Sequence, residues 1–333
     1  MPDIGQLFHE ALKIITDWIQ GEGKDFAQLT KKDADGYAGK AVFNLAPILQ
    51  HQILHSSNRY KYIQQKLQEV IARATYILSE QARQSNFSPV GLELGFGDKE
   101  KLPPLKMQLS NGYELLLRGR IDRVDKALNE DNLYLRIIDY KSSAKGLNLM
   151  EVYYGIALQM LAYLDVVLTH SEQWLGTKAS PAGVLYFHVH NPMISSKQKM
   201  NDDQISEEIF KKYKMQGLLL SDEEIVKMMD NSLESGSSQI VPAGIKKNGG
   251  FYGYSKIADQ ETFSSLQHHI HQLMRNAGLD MTSGGVDLNP YQHKEQIACT
   301  FCPFHSVCQF DPELRENNYR KLKEIKEQDI LGK

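Results

Sequence analysis

A change of hydrophobic period at Ser88-Pro89 constrains this 333-residue chain more than any other feature. Upstream the apolar residues follow the helical repeat. Ile4, Leu7, Phe8, Ala11, Leu12, Ile15, Trp18 and Ile19 mark a first helix over 3–20, with Asp3 and Gln6 at capping-box spacing. A polar, Gly-containing stretch to Gly39 precedes a second helical segment near 42–55. A long third helix follows over 58–84, with Ile63, Leu67, Val70, Ile71, Ala74 and Leu78 on its stripe. Downstream the period drops to two: Val90, Leu92, Leu94 and Phe96 alternate with Gly91, Glu93 and Gly95, the pattern of a half-buried strand. Helices followed by a sheet imply an α/β fold in which helices cover a small mixed sheet.

The rest of the chain extends this plan. Residues 105–110 and 113–126 flank Asn111-Gly112, which predicts a hairpin with a type I′ turn, and Leu133–Lys141 forms the next strand after a polar loop. A continuous amphipathic helix is expected over 149–170 and a strand over 183–189. Residues 191–250 are polar, with helical patterns near 203–213 and 221–231, and read as a helical insertion. A helix over 259–277 ended by Gly278, a strand over 286–291, the cysteines and a charged C-terminal helix complete the order. The chain is thus expected to be one domain over 1–333: helices over 1–88, a core over 89–190, the insertion over 191–250 and a C-terminal segment over 251–333.

Composition narrows the class. Lys+Arg 38 against Asp+Glu 41 gives a net charge of −3, so nucleic-acid binding would require local clustering of charge rather than a polybasic arm. No apolar run reaches membrane-spanning length, and Met1-Pro2-Asp3 opens without a basic and apolar leader; a soluble, cytoplasmic protein is expected.

The densest chemistry lies in Gly119-Arg120-Ile121-Asp122-Arg123-Val124-Asp125 and Ile138-Asp139-Tyr140-Lys141-Ser142-Ser143. Alternate strand residues share a face, so Asp139 and Lys141 point together. Asp122 and Asp139 are equidistant from the Glu130-Asp131 turn pair, which places them opposite one another if the hairpin is symmetric. Two carboxylates and a lysine then converge, a set that can hold a hard cation such as Mg²⁺ and stabilise a phosphodiester transition state. A bare Asp-x-Lys is also an ordinary cross-strand ion pair, so its neighbours matter. Gln159 and Tyr163 stand one helical turn apart, with Gly155 a turn earlier, and His9 lies on the first helix. Glu93 and Arg120 are possible supports; Glu93 on the polar side of its strand could equally be solvated.

In this order and spacing, Gly5…His9, Gly119–Asp125, Ile138–Lys141 and Gln159-x-x-x-Tyr163 resemble the RecB-type branch of the PD-(D/E)XK nucleases. Residues 183–189, 214–218 and 299–311 resemble the nuclease domains of AddB-type helicase-nuclease proteins in particular. The resemblance implies a restriction-endonuclease-like core that hydrolyses single-stranded DNA with Mg²⁺ or Mn²⁺ during double-strand break repair, beside an AddA-type helicase partner. It implies metal ligation by His9, Asp122, Asp139 and the Tyr140 carbonyl. Lys141 would orient water or stabilise charge, and Gln159 and Tyr163 would hold the strand and the lysine. A silent DNA-binding scaffold and a free-standing RecB-like nuclease of a CRISPR or phage system are the competing readings.

Cys299-x-x-Cys302 and Cys308 are the chain's three cysteines, at the spacing of cluster ligands. Members of the resembled family complete a [4Fe–4S] cluster with a fourth cysteine before the histidine motif. This sequence has none there, so it reads as a domain cut just after that ligand, with an incomplete or absent cluster; His305 offers a zinc alternative. His268, His269 and His271 read as a solvated helix face. Lys246-Lys247 with Phe251, Tyr252 and Tyr254 reads as a surface loop or a strip for stacking on single-stranded DNA.

Overall fold

A computed structural model describes residues 2–47, 58–196 and 199–331. Three helices open the chain: α1 (Pro2–Gly21), α2 (Lys31–Leu45) and α3 (Asn58–Arg83). The stripe read in α1 is its buried face, from Leu7 to Ile19; the Asp3 side chain of its expected capping box lies outside the described residues. α2 begins before the segment expected near 42–55, of which residues 48–55 lie outside the described ones. Thr30 and Asp33 form a capping box at its start. Its buried residues include Ala34, Ala38 and Ala41, small side chains that let α2 pack closely on α3.

A six-stranded mixed sheet follows, built from β1 (Ser88–Phe96), β4 (Gly119–Asn129), β5 (Asn132–Lys141), β6 (Ala179–His188), β7 (Gln216–Leu220) and β10 (Ile257–Ala258), in that spatial order. β1/β4, β4/β5 and β6/β7 are antiparallel; β5/β6 and β7/β10 are parallel. The parallel β5–β6 pair is joined through α4 (Leu149–Tyr153), α5 (Gln159–Thr169) and α6 (Ser171–Leu175), with α5 packed on both strands.

Several expectations are corrected. The segment 113–126 is not one strand: β3 (Glu114–Leu117) pairs only with β2 (Leu105–Gln108) in a separate hairpin, and β4 starts at Gly119. Its turn is not type I′, because Gly112 has positive φ and Asn111 does not. The Gly112 N–H donates to the Leu109 carbonyl, giving a type I turn closed by a glycine in the left-handed region. The helix expected over 149–170 breaks at Gly155, whose φ is +77°. Residues 191–250 hold α7 (Asp202–Lys212) and α8 (Glu223–Met229) and also contribute β7 to the central sheet and the short pair β8 (Gly236–Ser237) and β9 (Gly244–Ile245). Gly217 in β7 is required by close approach, since a Cβ there would sit 1.9 Å from the Val184 carbonyl oxygen.

α9 (Gln260–Thr282) runs through Gly278 rather than ending there, because the missing side chain admits Leu109. Residues 286–290 are not a strand. The C-terminal segment forms a three-stranded sheet of β11 (Tyr291–His293), β12 (Gln296–Ile297) and β13 (Arg320–Lys321). A short α10 (His305–Cys308) reaches the last cysteine, and among the described residues beyond it the expected charged helix is reduced to α11 (Glu327–Ile330). Among the described residues no helix is long and apolar enough to cross a membrane.

The hairpin β4–β5 buries charge on one face. Arg123 donates to Asp125 at 2.6 and 3.0 Å, and Arg136, directly across the ladder, donates to the same carboxylate at 2.8 and 3.1 Å. All three are buried. Burial alone would raise the Asp125 pKa, but the two guanidiniums hold it below the usual carboxylate range. Removing one member of a buried charge network leaves the others uncompensated. Asp125→Ala is therefore expected to lower unfolding free energy by about 3–5 kcal/mol, read by urea denaturation; a loss below about 1 kcal/mol would show that the network is dispensable.

Candidate metal and phosphodiester site

The same hairpin aims its other carboxylates at a second cluster. Ladder pairing runs from Asn129↔Asn132 to Arg123↔Ile138, and the next step brings Asp122 beside Asp139, as the symmetric turn required. Asp122 Oδ2 accepts the Tyr140 N–H at 2.8 Å and lies 3.0 Å from His9 Nδ1 on α1. Asp139, 1% exposed, is paired through Oδ2 with Lys141 Nζ at 2.6 Å. The expected His9, Asp122, Asp139, Tyr140 and Lys141 thus meet at one end of the sheet.

Glu93 joins them more closely than its sequence indicated. On β1 it falls across from Asp122 in the β1–β4 register, with φ +43°. One ligand atom each of His9, Glu93 and Asp122 lies within 4.8 Å of the others. Glu93 Oε1 is buried with no hydrogen-bond partner. An orphaned carboxylate oxygen beside a histidine nitrogen and an aspartate oxygen is a donor set suited to a divalent cation. Asp139 stands outside this trio, turned towards Lys141.

The electrostatics follow from burial and crowding. Desolvation, with the charge of Asp122, pushes Glu93 up to about 7. Desolvation and Asp122 also raise Asp139, against the opposing pull of Lys141 and His9. For His9, burial works downwards, but the hydrogen bond and charge of Asp122, with Asp139 and Glu93, leave its pKa above the ordinary value. The site gathers more negative charge than its own cations neutralise.

Gln159 and Tyr163 also meet as expected: Gln159 Nε2 donates to the Tyr163 hydroxyl at 3.0 Å. The Tyr163 ring packs edge-on against Phe96 at 5.7 Å. Burial raises its pKa, and the charges of Asp122 and Asp139 reach it. Gly155 is not on their stripe; it is the break before α5. Arg120 extends outwards, 3.9 Å from Glu100. Tyr186, missed in the sequence, pairs with Asp139 in the β5–β6 ladder. Lys141 Nζ and Lys145 Nζ lie 6.0 and 5.9 Å from its ring centroid. Its position in an apolar strand reads as core, and only the parallel register reveals it.

The remaining candidates lie elsewhere. Cys299, Cys302 and Cys308 are half-buried free thiols. His269 is bonded to the Tyr153 carbonyl and His271 to Asp165, so those two histidines do not converge. Tyr252 and Tyr254 stack at 5.5 Å beside exposed Lys246 and Lys247.

Comparisons with known proteins give the family. The sequence pattern of the PD-(D/E)XK nuclease superfamily matches residues 1–309. A subunit of the ATP-dependent helicase/deoxyribonuclease of Oceanobacillus iheyensis is 75% identical over 331 residues, covering 99% of this chain and 28% of the relative. The like-named proteins of Bacillus licheniformis and Bacillus subtilis are 54% and 52% identical over 330 residues, with the same coverage. The chain spans about 28% of the length of these curated relatives.

The raised Glu93 pKa gives a stability test. Folding favours its protonated form, so the associated stabilisation is complete below the ordinary 4.5 and is lost as pH rises through about 7. In metal-free protein, Glu93→Gln is expected to raise Tm at pH 8 and to leave it nearly unchanged at pH 4.5. Equal melting curves of variant and parent at pH 8 would refute the strained carboxylate.

Proposed function

The chain belongs to the PD-(D/E)XK nuclease superfamily, and from that premise we propose that it is the metal-dependent deoxyribonuclease domain of a helicase-nuclease complex. The observation that carries this reading is the Asp139–Lys141 ion pair set beside the His9, Glu93 and Asp122 trio. The names of the relatives support DNA as substrate and a helicase-nuclease assembly with a further subunit; within that frame the substrate is single-stranded DNA from an unwound duplex and the partner an AddA-type helicase. Residues 1–333 act as one nuclease domain in the cytoplasm, engaged in double-strand break repair and recombination.

His9, Glu93 and Asp122 would hold the divalent cation, Mg²⁺ or Mn²⁺, with Asp139 and the Tyr140 carbonyl as the further donors at the same sheet end. When bound, the cation polarises the phosphodiester and acidifies a water. Asp139 fixes the Lys141 ammonium, which would orient a water and stabilise charge developing on the phosphoryl oxygens. Tyr140 steadies Asp122 through its backbone N–H. The Gln159–Tyr163 pair, hydrogen-bonded at the rim, holds the strand. Cys299, Cys302 and Cys308 would supply three ligands of a [4Fe–4S] cluster in the parent protein, a structural group apart from the phosphodiester chemistry; here their three sulfurs do not all lie within 4.8 Å of one another, which fits a cluster incomplete or absent in this chain.

End-labelled single-stranded DNA with Mg²⁺ or Mn²⁺ tests the reading. Asp139→Asn and Lys141→Ala are each expected to slow cleavage by roughly 10²-fold or more, while their thermal melts remain cooperative. Cleavage that survives both changes would overturn the roles given to Asp139 and Lys141, whereas a folded parent that binds DNA and leaves it intact in either metal would replace the nuclease with the silent scaffold.

A further inference from the structure

The lysine pair on Tyr186 leads out of the site. Lys141 and Lys145 both approach one ring, so Lys145 brings a second positive charge to the ring that Lys141 faces. Beyond Lys145 opens a cleft of about 440 Å³ between α4 and the C-terminal segment, walled by Glu151, Tyr291, Glu295, Thr300 and Phe301. Its chemistry is divided: the Lys145 ammonium and the carboxylates of Glu151 and Glu295 share its lining, and Phe301 is 95% exposed. The carboxylates repel a phosphate and accept hydrogen bonds from an exocyclic amine. An exposed aromatic face at the edge suits an unstacked base.

We propose that this cleft is the subsite for the nucleotide next to the scissile phosphate: Lys145 holds that nucleotide's phosphate, Phe301 stacks on its base, and Glu151 and Glu295 favour bases carrying an exocyclic amine. The assignment rests on the nuclease reading and makes it specific. Thymine, with no exocyclic amine, is the poorest fit; cytosine, whose amine a carboxylate accepts directly, is a good one.

Binding separates this subsite from the chemistry. Fluorescence anisotropy of labelled oligo-dC and oligo-dT is measured with the full-length protein carrying Lys141→Ala and with EDTA in place of the divalent metal, so that the strand is not consumed. Adding Phe301→Ala is expected to raise the oligo-dC Kd roughly tenfold, within the range of one lost base stack. Adding Lys145→Ala is expected to weaken both oligonucleotides and to reduce the salt slope of log K by about one. Oligo-dC binds more tightly than oligo-dT, and Glu295→Ala abolishes the difference. Because Phe301 and Glu295 are exposed, neither change is expected to unfold the protein. Unchanged Kd values for the Phe301 and Lys145 variants overturn the subsite, as does a dC preference that survives Glu295→Ala. Either failure leaves metal-dependent cleavage by the parent intact, whereas failure of the nuclease reading appears as no cleavage by that parent.

Discussion

The register of the β4–β5 hairpin is the constraint on which the site depends. Strand residues alternate faces, so one pairing sends Arg123, Asp125 and Arg136 into a buried network and turns Asp122 and Asp139 together towards α1. A one-residue slip would exchange those faces and bury the wrong charges. The Asp125 network therefore stabilises the strand pair and also locks its register. That link explains why a fully buried aspartate stands three residues from a carboxylate that must stay accessible.

The second cluster is held in the opposite way. Its positive partners, His9 and Lys141, take Asp122 and Asp139 in separate pairs, and Glu93 is left with a buried oxygen unbonded. A carboxylate paired on both sides, like Asp125, has its pKa driven down; Glu93, close to Asp122, has its own pushed up to about 7. A divalent cation relieves that crowding because its charge favours every carboxylate around it. On the function proposed above, the cluster is arranged for a cation at the expense of its own stability, a pattern common where function and strain coincide.

Much of this was legible in the residues. The symmetric turn at Glu130-Asp131 gave the Asp122–Asp139 meeting, helical spacing gave the Gln159–Tyr163 bond, and the stripe of α1 gave the helix that carries His9. What stayed hidden depends on tertiary packing. α2 looks polar because its buried face is made of alanines that matter only against α3. β7 is five residues between polar helices, and its place in the sheet is fixed by Gly217 against Val184. Glu93 has the identity of any sheet-face glutamate until α1 and β4 bury it. Tyr186 reads as core until a parallel neighbour puts it beside Asp139.

The break at Gly155 shows how one such hidden feature organises the surface. A continuous helix of about 22 residues would extend roughly 33 Å in one direction, carrying its two ends away from one another. With φ at +77°, Gly155 ends α4 and lets α5 restart at Gln159 on a new line. α5 then packs on β5 and β6 and presents Gln159 and Tyr163 to the site, while α4 packs against α9 and α11 and presents Met150 and Glu151 to the neighbouring cleft. A single connection between two parallel strands thereby supplies the rim of the centre and one wall of the space beside it. A side chain at position 155 would meet Leu273 on α9 only at ordinary contact distance, so the demand for glycine there comes from backbone conformation rather than from crowding.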